Sequence, residues 1–288
     1  MAGHSPRPAP SLLFVHPILF HLGSYPVASY GLALTLGFAS GIALALRRAR
    51  EHGLAEAPIL DAAMVAVVTS LVGARLLFAA THPAAFRPPQ GTLVDLWNPI
   101  QASGDFRITG LSMLGGVVLA VAGVLATLRW RRAPVLRAAD VLAPSVLLGE
   151  AVTRVGCFLN GCCYGNPSTL PWAVHFPPGS EAVRALGAVA VHPTQLYTVL
   201  LSLAGFGVLS RLLRSPPFAG SVLAALCIWL GAQRILLDVV RHHDATTILW
   251  QSGGAVLASS QLISAVLLVA GLVAFAGGRR RLLAASHP

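Results

Sequence analysis

Seven apolar segments, each close to the length of a membrane span, constrain the fold of this chain more than any other feature. A helix needs about 20 apolar residues to cross the hydrocarbon core of a bilayer. Hydrophobic residues make up 55% of the chain and charged residues only 10%, whereas a soluble domain is roughly a quarter charged. We therefore predict an all-α integral membrane protein with seven transmembrane helices. The segments cover residues 26–46, 57–80, 108–130, 141–158, 193–213, 218–240 and 254–276.

The placement of the basic residues, all of which are arginines, predicts the orientation of these helices. The arginines are concentrated in the loops that follow the odd-numbered segments. Because cytoplasmic loops are enriched in basic residues, we expect the N-terminus outside and the C-terminus in the cytoplasm. The same bias explains the net charge of +10 without a nucleic-acid partner. The predicted cytoplasmic arginines are Arg47, Arg48, Arg50, Arg129, Arg131, Arg132, Arg137, Arg211, Arg214, Arg279, Arg280 and Arg281.

The chain is expected to form one membrane domain flanked by two tails. Residues 1–12 are rich in proline and predict a disordered tail, residues 13–278 a single polytopic membrane domain, and residues 279–288 a basic cytoplasmic tail. The short apolar stretch that opens the domain lacks the charged region and the cleavage site of a signal peptide. The sequence shows no inverted repeat of the kind found in transporters.

Three arginines, Arg75, Arg154 and Arg234, lie within apolar segments, where each costs about 2.5–3.5 kcal/mol on insertion. In the predicted topology all three lie late in outward-running helices, near the outer leaflet. One interpretation is structural, since Glu150 and Asp238 stand four residues from Arg154 and Arg234 on the same helix faces. The other is an anion site in which the arginines bind the phosphate of a phospholipid. The scarcity of acidic residues favours the anion site.

Three of the four cysteines, Cys157, Cys162 and Cys163, lie within one short stretch. Their C-x4-C-C spacing is not a standard zinc pattern and no histidine stands at ligand spacing nearby, so neither a metal nor another cofactor is predicted. The interpretations that stay open are buried packing, a disulfide on the oxidising face, and a reactive or metal-binding cluster. Cys227 lies in the middle of a segment and is assigned to packing.

Two further motifs carry candidate residues. Gly115 and Gly116 suit a close approach of two helices. The stretch HPTQLY opens the fifth segment and places His192, Gln195 and Tyr197 at the predicted outer interface. His192 is either a structural cap or a functional group, and the tyrosine suits an interfacial anchor.

In order and spacing, these segments resemble the prolipoprotein diacylglyceryl transferase family over nearly the whole chain. YGLALTLGF after Ser29 is similar to its first helix, and GAR at 73–75 to its second. The pair Gly115-Gly116 matches the glycine pair of the third helix. RVGCFLNGCCYG, from Arg154, is similar to a cysteine-bearing variant of the family signature that begins Arg-x-Gly-Asn-Phe. HPTQLY and RILLDVVR resemble its His-Pro-Ser-Gln-Leu-Tyr motif and its arginine-rich sixth helix.

The resemblance implies an activity and a location. Family enzymes of the bacterial inner membrane move diacylglyceryl from phosphatidylglycerol to the lipobox cysteine of a prolipoprotein, forming a thioether and releasing glycerol phosphate. The expected partners are thus phosphatidylglycerol or a similar anionic phospholipid, prolipoprotein signal peptides and membrane lipid. Arg154 and Arg234 would be the essential arginines.

Further candidates come from motif matches and from predicted depth in the membrane. Tyr30, Asn160, Gly165 and His192 match motif positions of the family, and His192 is taken as a catalytic candidate. The remaining substrate-binding candidates, chosen for their predicted depth or motif context, are Arg75, Gly115, Gly116, Gln195, Tyr197, Asp238 and Arg241.

The chain departs from the family pattern at five polar positions. Leu114 replaces the histidine before the glycine pair, and Cys157 and Cys162 replace the first asparagine and the glutamate of the signature. Leu230 and Thr198 replace a tyrosine and an acid. The phosphate-binding arginines are kept while part of the polar shell is changed, which leaves the acceptor open.

The base that would deprotonate an acceptor thiol is not identified by the sequence, and His192, His242 and Asp238 are the candidates. Residues 153–167 are predicted to form the rim of a head-group site. The alternatives are a divergent family member with a different acceptor, a non-catalytic lipid-binding protein of the same fold, and a membrane thiol–disulfide protein.

Overall fold

The computed structural model describes residues 15–23, 25–86, 112–242, 248–252 and 255–285. The predicted tail at 1–12 and most of the loop after the second segment lie outside the described residues. The helices are α1 (Ser29–Glu51), α2 (Glu56–Thr81), α3 (Met113–Trp130), α4 (Val135–Asn160), α5 (Glu181–Leu186), α6 (Thr194–Arg214), α7 (Ser221–Asp238) and α8 (Ser259–Ala285). The strands are β1 (Ile18–Leu22), β2 (Tyr25–Ala28), β3 (Ile248–Ser252) and β4 (Ala255–Ala258).

Six helices in the described part of the chain are long and apolar enough to cross a membrane: α1, α2, α4, α6, α7 and α8. Their large apolar side chains are widely exposed, such as Leu200 at 68% and Val273 at 67%. Water disfavours such surfaces and lipid accepts them. The prediction of a multi-pass membrane protein is confirmed. The third predicted segment, residues 108–130, coincides with α3, whose apolar helix in the described residues runs only from Leu114 to Trp130 and is shorter than the other six.

Two short antiparallel hairpins, which hydropathy did not predict, precede α1 and α8. β1 pairs with β2 and β3 pairs with β4. The first predicted segment therefore begins as a strand, and α1 starts only at Ser29. The Ser29 amide and hydroxyl both donate to the Pro17 carbonyl, at 2.9 and 3.3 Å. The hairpin thus fixes the point at which the helix begins.

The chain divides into two compact units, one formed by Leu46–Ala138 and the other by Met1–Ala45 with Ala139–Pro288. In the unit Leu46–Ala138, α2 and α3 pack through glycines. The Gly73 and Gly115 backbones touch, and a Cβ on Gly116 would lie 3.0 Å from the Ser70 carbonyl oxygen. Arg131 pairs with Asp61. The pair Gly115-Gly116 therefore allows the backbones of α2 and α3 to approach closely where the two helices cross.

In the other unit, α4 is fixed against both α1 and α7. A Cβ on Gly37 would lie 2.9 Å from the Gly149 carbonyl oxygen, so the α1 and α4 backbones meet closely. The Asp140 carboxylate accepts hydrogen bonds from the amides of Gly220, Val222 and Leu223 at 2.7–2.9 Å. These amides lie at the start of α7 and have no partner within their own helix. Asp140 therefore stabilises α7 from a neighbouring helix.

The segment between α4 and α6 folds over a small apolar cluster of its own. A Ser180 hydroxyl caps α5 by accepting from the Val183 amide at 3.3 Å. Isolated bridges join Val191 to both Pro167 and Val174. The Ala182 amide donates to the carbonyl of Gly161, directly after α4, at 3.4 Å, so the segment is folded against the end of that helix. The cluster consists of Val15, Tyr164, Val174, Phe176, Ala182 and Val191.

Candidate active site at the end of the fourth helix

Arg154 lies near the end of α4 beside Glu150, one turn earlier. The Arg154 Nη2 atom is 3.8 Å from Glu150 Oε1. The other carboxylate oxygen, Oε2, accepts from Ser202 Oγ at 2.9 Å and from Gln233 Nε2 at 3.1 Å. Glu150 is therefore held by α6 and α7, and it holds the guanidinium in turn.

Gln233 extends this network deeper into α6 and α7. Its amide nitrogen also donates to Ser202 Oγ at 3.2 Å, and its amide oxygen accepts from Trp229 Nε1 at 3.1 Å. Gln233 and Ser202 are 6% and 0% exposed, so their polar groups depend on one another for hydrogen bonds. Sequence reasoning missed both residues. The available signal was a glutamine directly before Arg234 in an apolar segment.

Arg234, one turn before the end of α7, pairs with the acid that ends the helix. Its Nε atom is 3.2 Å from Asp238 Oδ1, and the Asp238 side chain is fully buried. Ser260 Oγ of α8 donates to Asp238 Oδ2 at 3.0 Å. Arg234 also interacts electrostatically with Arg154 and Arg241. The predicted pairs at a spacing of four residues are both present, and they lie within one unit.

The charges at this site are unequal. Arg154, Arg234 and Arg241 contribute three positive charges, and Glu150 and Asp238 contribute two negative charges, counted over this group of described residues. The Arg154 and Arg234 side chains keep 16% and 21% of their surface accessible. A net positive charge on partly accessible guanidiniums favours an anion with several oxygen acceptors, such as a phosphate.

The turn after α4 is held by the start of α6. The helix ends at Asn160, and Gly161 and Cys163 follow with φ of +72° and +60°. Gln195 Nε2 donates to the Cys162 carbonyl at 2.7 Å, and Thr194 Oγ1 donates to the Cys163 carbonyl at 2.8 Å. Gln195 is 1% exposed. Its position indicates that it holds the turn.

Gly165 lies where three chain segments meet. Its amide donates to the His192 carbonyl at 3.0 Å, and it forms a bridge with Arg241. A Cβ at this position would lie 2.6 Å from both His192 Cβ and the Val240 carbonyl oxygen. Glycine alone fits this approach. The bridge fixes Arg241 beside the turn.

The three cysteines of the turn come together. The sulfur atoms of Cys157, Cys162 and Cys163 all lie within 4.8 Å of one another, and each cysteine is a free thiol. Hydrogen bonds from the other two thiols lower the pKa of Cys163 well below its usual range, helped by Arg154 and Arg241. Hydrogen bonding to its two neighbours and burial raise the pKa of Cys162.

Tyr30 lies in the first turn of α1, next to the end of α4. A Cβ on Gly156 would be 3.3 Å from Tyr30 Cα. Tyr30 interacts electrostatically with Arg154 and with the cysteine cluster, and 39% of its surface is exposed. The structure thus places Tyr30 and Asn160 in the same unit as the arginines.

The candidate bases differ in what they contact. His192 Nδ1 is 3.4 Å from the Tyr197 hydroxyl, which accepts from Trp172 Nε1 at 2.7 Å. His242 stacks on Tyr164, with ring centroids 5.6 Å apart. Asp238 is engaged by Arg234 and Ser260, which makes it the least available of the three.

The remaining predicted site residues, Arg75, Gly115 and Gly116, belong to the unit Leu46–Ala138. The Arg75 guanidinium lies 5.0 Å from the centroid of the Phe86 ring, a cation–π contact. Gly115 and Gly116 are buried in the crossing of α2 and α3. Their packing accounts for both glycines.

Comparisons with known proteins agree with the resemblance. The model of the family described as prolipoprotein diacylglyceryl transferase matches residues 17–276, which include the whole candidate site. Three relatives are each named phosphatidylglycerol–prolipoprotein diacylglyceryl transferase. The chain is 27% identical to the Clostridium tetani protein over 259 residues, covering 90% of this chain and 96% of the relative. It is 30% identical to the Leifsonia xyli protein over 242 residues (82% and 70%) and 29% identical to the Lysinibacillus sphaericus protein over 270 residues (91% and 91%).

Proposed function

The chain belongs to the prolipoprotein diacylglyceryl transferase family, and from this premise we propose that it transfers diacylglyceryl from phosphatidylglycerol to a prolipoprotein cysteine. The observation that carries the proposal is the group of Arg154, Arg234 and Arg241, in which the arginines outnumber the neighbouring carboxylates of Glu150 and Asp238 by one. The names of the similar proteins supply the donor and the acceptor.

The arginines would act on the leaving group. In the transfer, a carbon–sulfur bond forms at the diacylglyceryl carbon, and the carbon–oxygen bond to the phosphate breaks. The electron pair then leaves on a phosphate oxygen. Guanidiniums already oriented toward that oxygen stabilise the charge that develops in the transition state. Glu150 and Asp238 would act as positioning residues, because each fixes one arginine by an ion pair.

Other groups in this unit suit supporting roles. Tyr30, beside Gly156, and Asn160, at the end of α4, are proposed to contact the lipid head group. His192 is proposed as the base that receives the acceptor proton, because its backbone carbonyl is bonded to Gly165 in the turn after α4 and its ring contacts Tyr197. Arg75 is proposed as a further lipid contact from its predicted depth in the membrane.

We also infer a topology and a location. Seven helices with the N-terminus outside and the C-terminus in the cytoplasm of a bacterial inner membrane are supported by the arginine distribution. The prolipoprotein would then present its signal peptide at the outer leaflet, where the arginines are proposed to lie.

A transfer assay tests the proposal. The protein is purified in detergent and given labelled phosphatidylglycerol with a synthetic lipobox peptide, and thioether product is measured by mass spectrometry. Wild type should form product, and Arg154→Ala and Arg234→Ala should lose most of the rate. Arg214→Ala is the matched control, since Arg214 lies exposed at the end of α6.

If Arg154→Ala and Arg234→Ala both transfer diacylglyceryl at the wild-type rate, the arginines only pair with acids to hold the helices and take no part in transfer. Binding of phosphatidylglycerol without any transfer would favour the non-catalytic lipid-binding alternative. Complementation tests the same point in cells. In a strain depleted of its own diacylglyceryl transferase, the wild-type chain should restore growth and the two alanine variants should not.

A further inference from the structure

We infer that Cys157, Cys162 and Cys163 bind a divalent thiophilic cation of the zinc class, with a fourth coordination position open to the acceptor thiol. Only the role of the fourth ligand rests on the proposed transferase function. The cation site itself rests on the arrangement of the three thiols.

The geometry of the thiols is close to that of a metal site. Zinc binds cysteine sulfur at about 2.3 Å in tetrahedral geometry, which places the sulfurs about 3.8 Å apart. The three sulfur atoms here already lie within 4.8 Å of one another. A C-x4-C-C spacing does not reveal this convergence, because it depends on how the turn after α4 folds.

The backbone holds the three thiols together rigidly. Cys157 lies on α4, and the Cys162 amide donates to its carbonyl at 3.1 Å. The carbonyls of Cys162 and Cys163 are each fixed by a buried side chain from the start of α6. Cys163 adopts a left-handed conformation, which is unusual for a residue other than glycine. A backbone conformation of this kind persists only where the surrounding structure enforces it, here through the hydrogen bonds from α6.

The surrounding charges suit a metal thiolate. Three thiolates and one divalent cation leave a single negative charge. Arg154 interacts electrostatically with Cys157 and Cys163, and Arg241 interacts with Cys163. Arg154 and Arg241 would offset this charge, while the Arg154 and Arg234 guanidiniums keep accessible surface with which to donate hydrogen bonds to a phosphate.

A cation accounts for all three thiols, whereas a disulfide does not. A disulfide would use two of the sulfurs and leave the third as a free thiol. Zinc with three protein ligands also keeps one open position, as catalytic zinc sites do. The acceptor of the proposed reaction is itself a thiol, the ligand type that zinc and copper(I) favour.

Coordination would activate the acceptor. When the acceptor thiol binds the cation, its S–H proton would pass to His192, the base proposed above, and the sulfur would become a thiolate. That sulfur attacks the diacylglyceryl carbon and forms the carbon–sulfur bond. The carbon–oxygen bond breaks, and its electron pair leaves with glycerol phosphate. The thioether product carries no charge and is a weaker ligand, so it leaves the cation. The cation is unchanged by the reaction.

Metal content gives the first test, in which the full-length protein is purified without a polyhistidine tag. After incubation with Zn²⁺ and removal of free metal, wild type should retain about one zinc ion per chain. The Cys157→Ser, Cys162→Ser and Cys163→Ser variants should each retain less than about a tenth of that. Cys227→Ser is the matched control, since Cys227 lies outside the cluster, and it should retain the wild-type amount.

Cobalt gives a test that does not depend on any variant. Wild type titrated with Co²⁺ should show the thiolate-to-cobalt charge-transfer absorption. Adding a lipobox peptide should change the visible cobalt spectrum, and the same peptide with serine in place of cysteine should not. Absence of the charge-transfer band, or a disulfide within the cluster found by mass spectrometry in protein purified without reductant, would overturn the site.

The two proposals fail separately. If chelator-treated protein that contains no metal transfers diacylglyceryl at the wild-type rate, the cation role is wrong and the transferase stands. If the protein binds the metal but transfers nothing, the transferase is wrong and the cation site stands.

Discussion

Glu150 and Gln233 are joined by a 3.1 Å hydrogen bond that connects α4 to α7 immediately beside the two arginines of the site. Glu150 lies one turn before Arg154, and Gln233 directly precedes Arg234. The position of one arginine is thereby coupled to that of the other through this hydrogen-bonded pair of side chains.

Gln233→Leu should therefore reduce transfer by loosening both arginines. The substitution removes three hydrogen bonds, to Glu150, Ser202 and Trp229, and costs about 1–3 kcal/mol, because the remaining groups stay buried. We expect kcat to fall while the KM for phosphatidylglycerol changes little, measured by steady-state transfer kinetics. If Gln233→Leu lowers the melting temperature but leaves kcat unchanged, Gln233 contributes to stability and not to catalysis.

Arg154→Lys should retain the charge and lose most of the activity. Lysine cannot present the two parallel donors of a guanidinium to a phosphate. Loss of one charge-assisted hydrogen bond costs about 1.5–3 kcal/mol, which corresponds to a rate roughly ten- to a hundred-fold lower. Arg154→Ala should be slower still. Equal rates for lysine and arginine would show that charge alone suffices.

Gly165→Ala should destabilise the protein. The new methyl group would overlap His192 Cβ and the Val240 carbonyl oxygen, and such overpacking costs about 1–3 kcal/mol. Gly207→Ala is the matched control, because a Cβ there meets nothing within 4 Å. It should be neutral or stabilising, as expected in a helix interior. Thermal unfolding in detergent measures both, and equal melting temperatures would contradict the close approach at Gly165.

Asp140→Ala should destabilise α7. The substitution leaves three amides at the start of the helix without their carboxylate acceptor. Loss of a side-chain cap costs about 0.5–2 kcal/mol, and burial of these amides places the expected loss at the upper end of that range. Asp140→Asn keeps one acceptor oxygen, so its stability should lie between those of wild type and Asp140→Ala. Chemical unfolding in detergent measures the free energy of unfolding of each variant. An unchanged value for Asp140→Ala would show that Asp140 does not stabilise α7.

The proposed topology predicts reporter positions. A reporter fused to the C-terminus should be active in the cytoplasm, and one inserted within residues 166–191 should be active in the periplasm. Alkaline phosphatase and green fluorescent protein fusions distinguish the two sides. A periplasmic C-terminus would overturn the orientation and the common depth proposed for Arg75, Arg154 and Arg234.

The sequence was sufficient where a contact is local. The apolar segments gave six of the candidate spans, and spacings of four residues gave the pairs Glu150–Arg154 and Asp238–Arg234. The hairpins were missed because strands of four or five residues do not stand out in hydropathy. Contacts between distant segments were also missed, since Gln233 and Ser202 reach Glu150 from 83 and 52 residues away.

The cysteine cluster shows the same limit. Spacing alone left packing, a disulfide and a metal-binding cluster open. The convergence of the three sulfurs depends on the left-handed backbone conformation at residues 161 and 163. It also depends on hydrogen bonds from Gln195 and Thr194, about 30 residues further along the chain. Hydropathy and periodicity do not report a backbone conformation of this kind.

The ion pairs within α4 and α7 bear on how the protein is made. Each helix carries the acid that offsets its own arginine, so each can leave the translocon with its charge already compensated, before any neighbour has arrived. The bonds from Ser202 and Gln233 to Glu150 form only once the helices meet within the bilayer. Biogenesis is thus divided into two stages: insertion is supported by pairs inside single helices, and assembly by bonds between them.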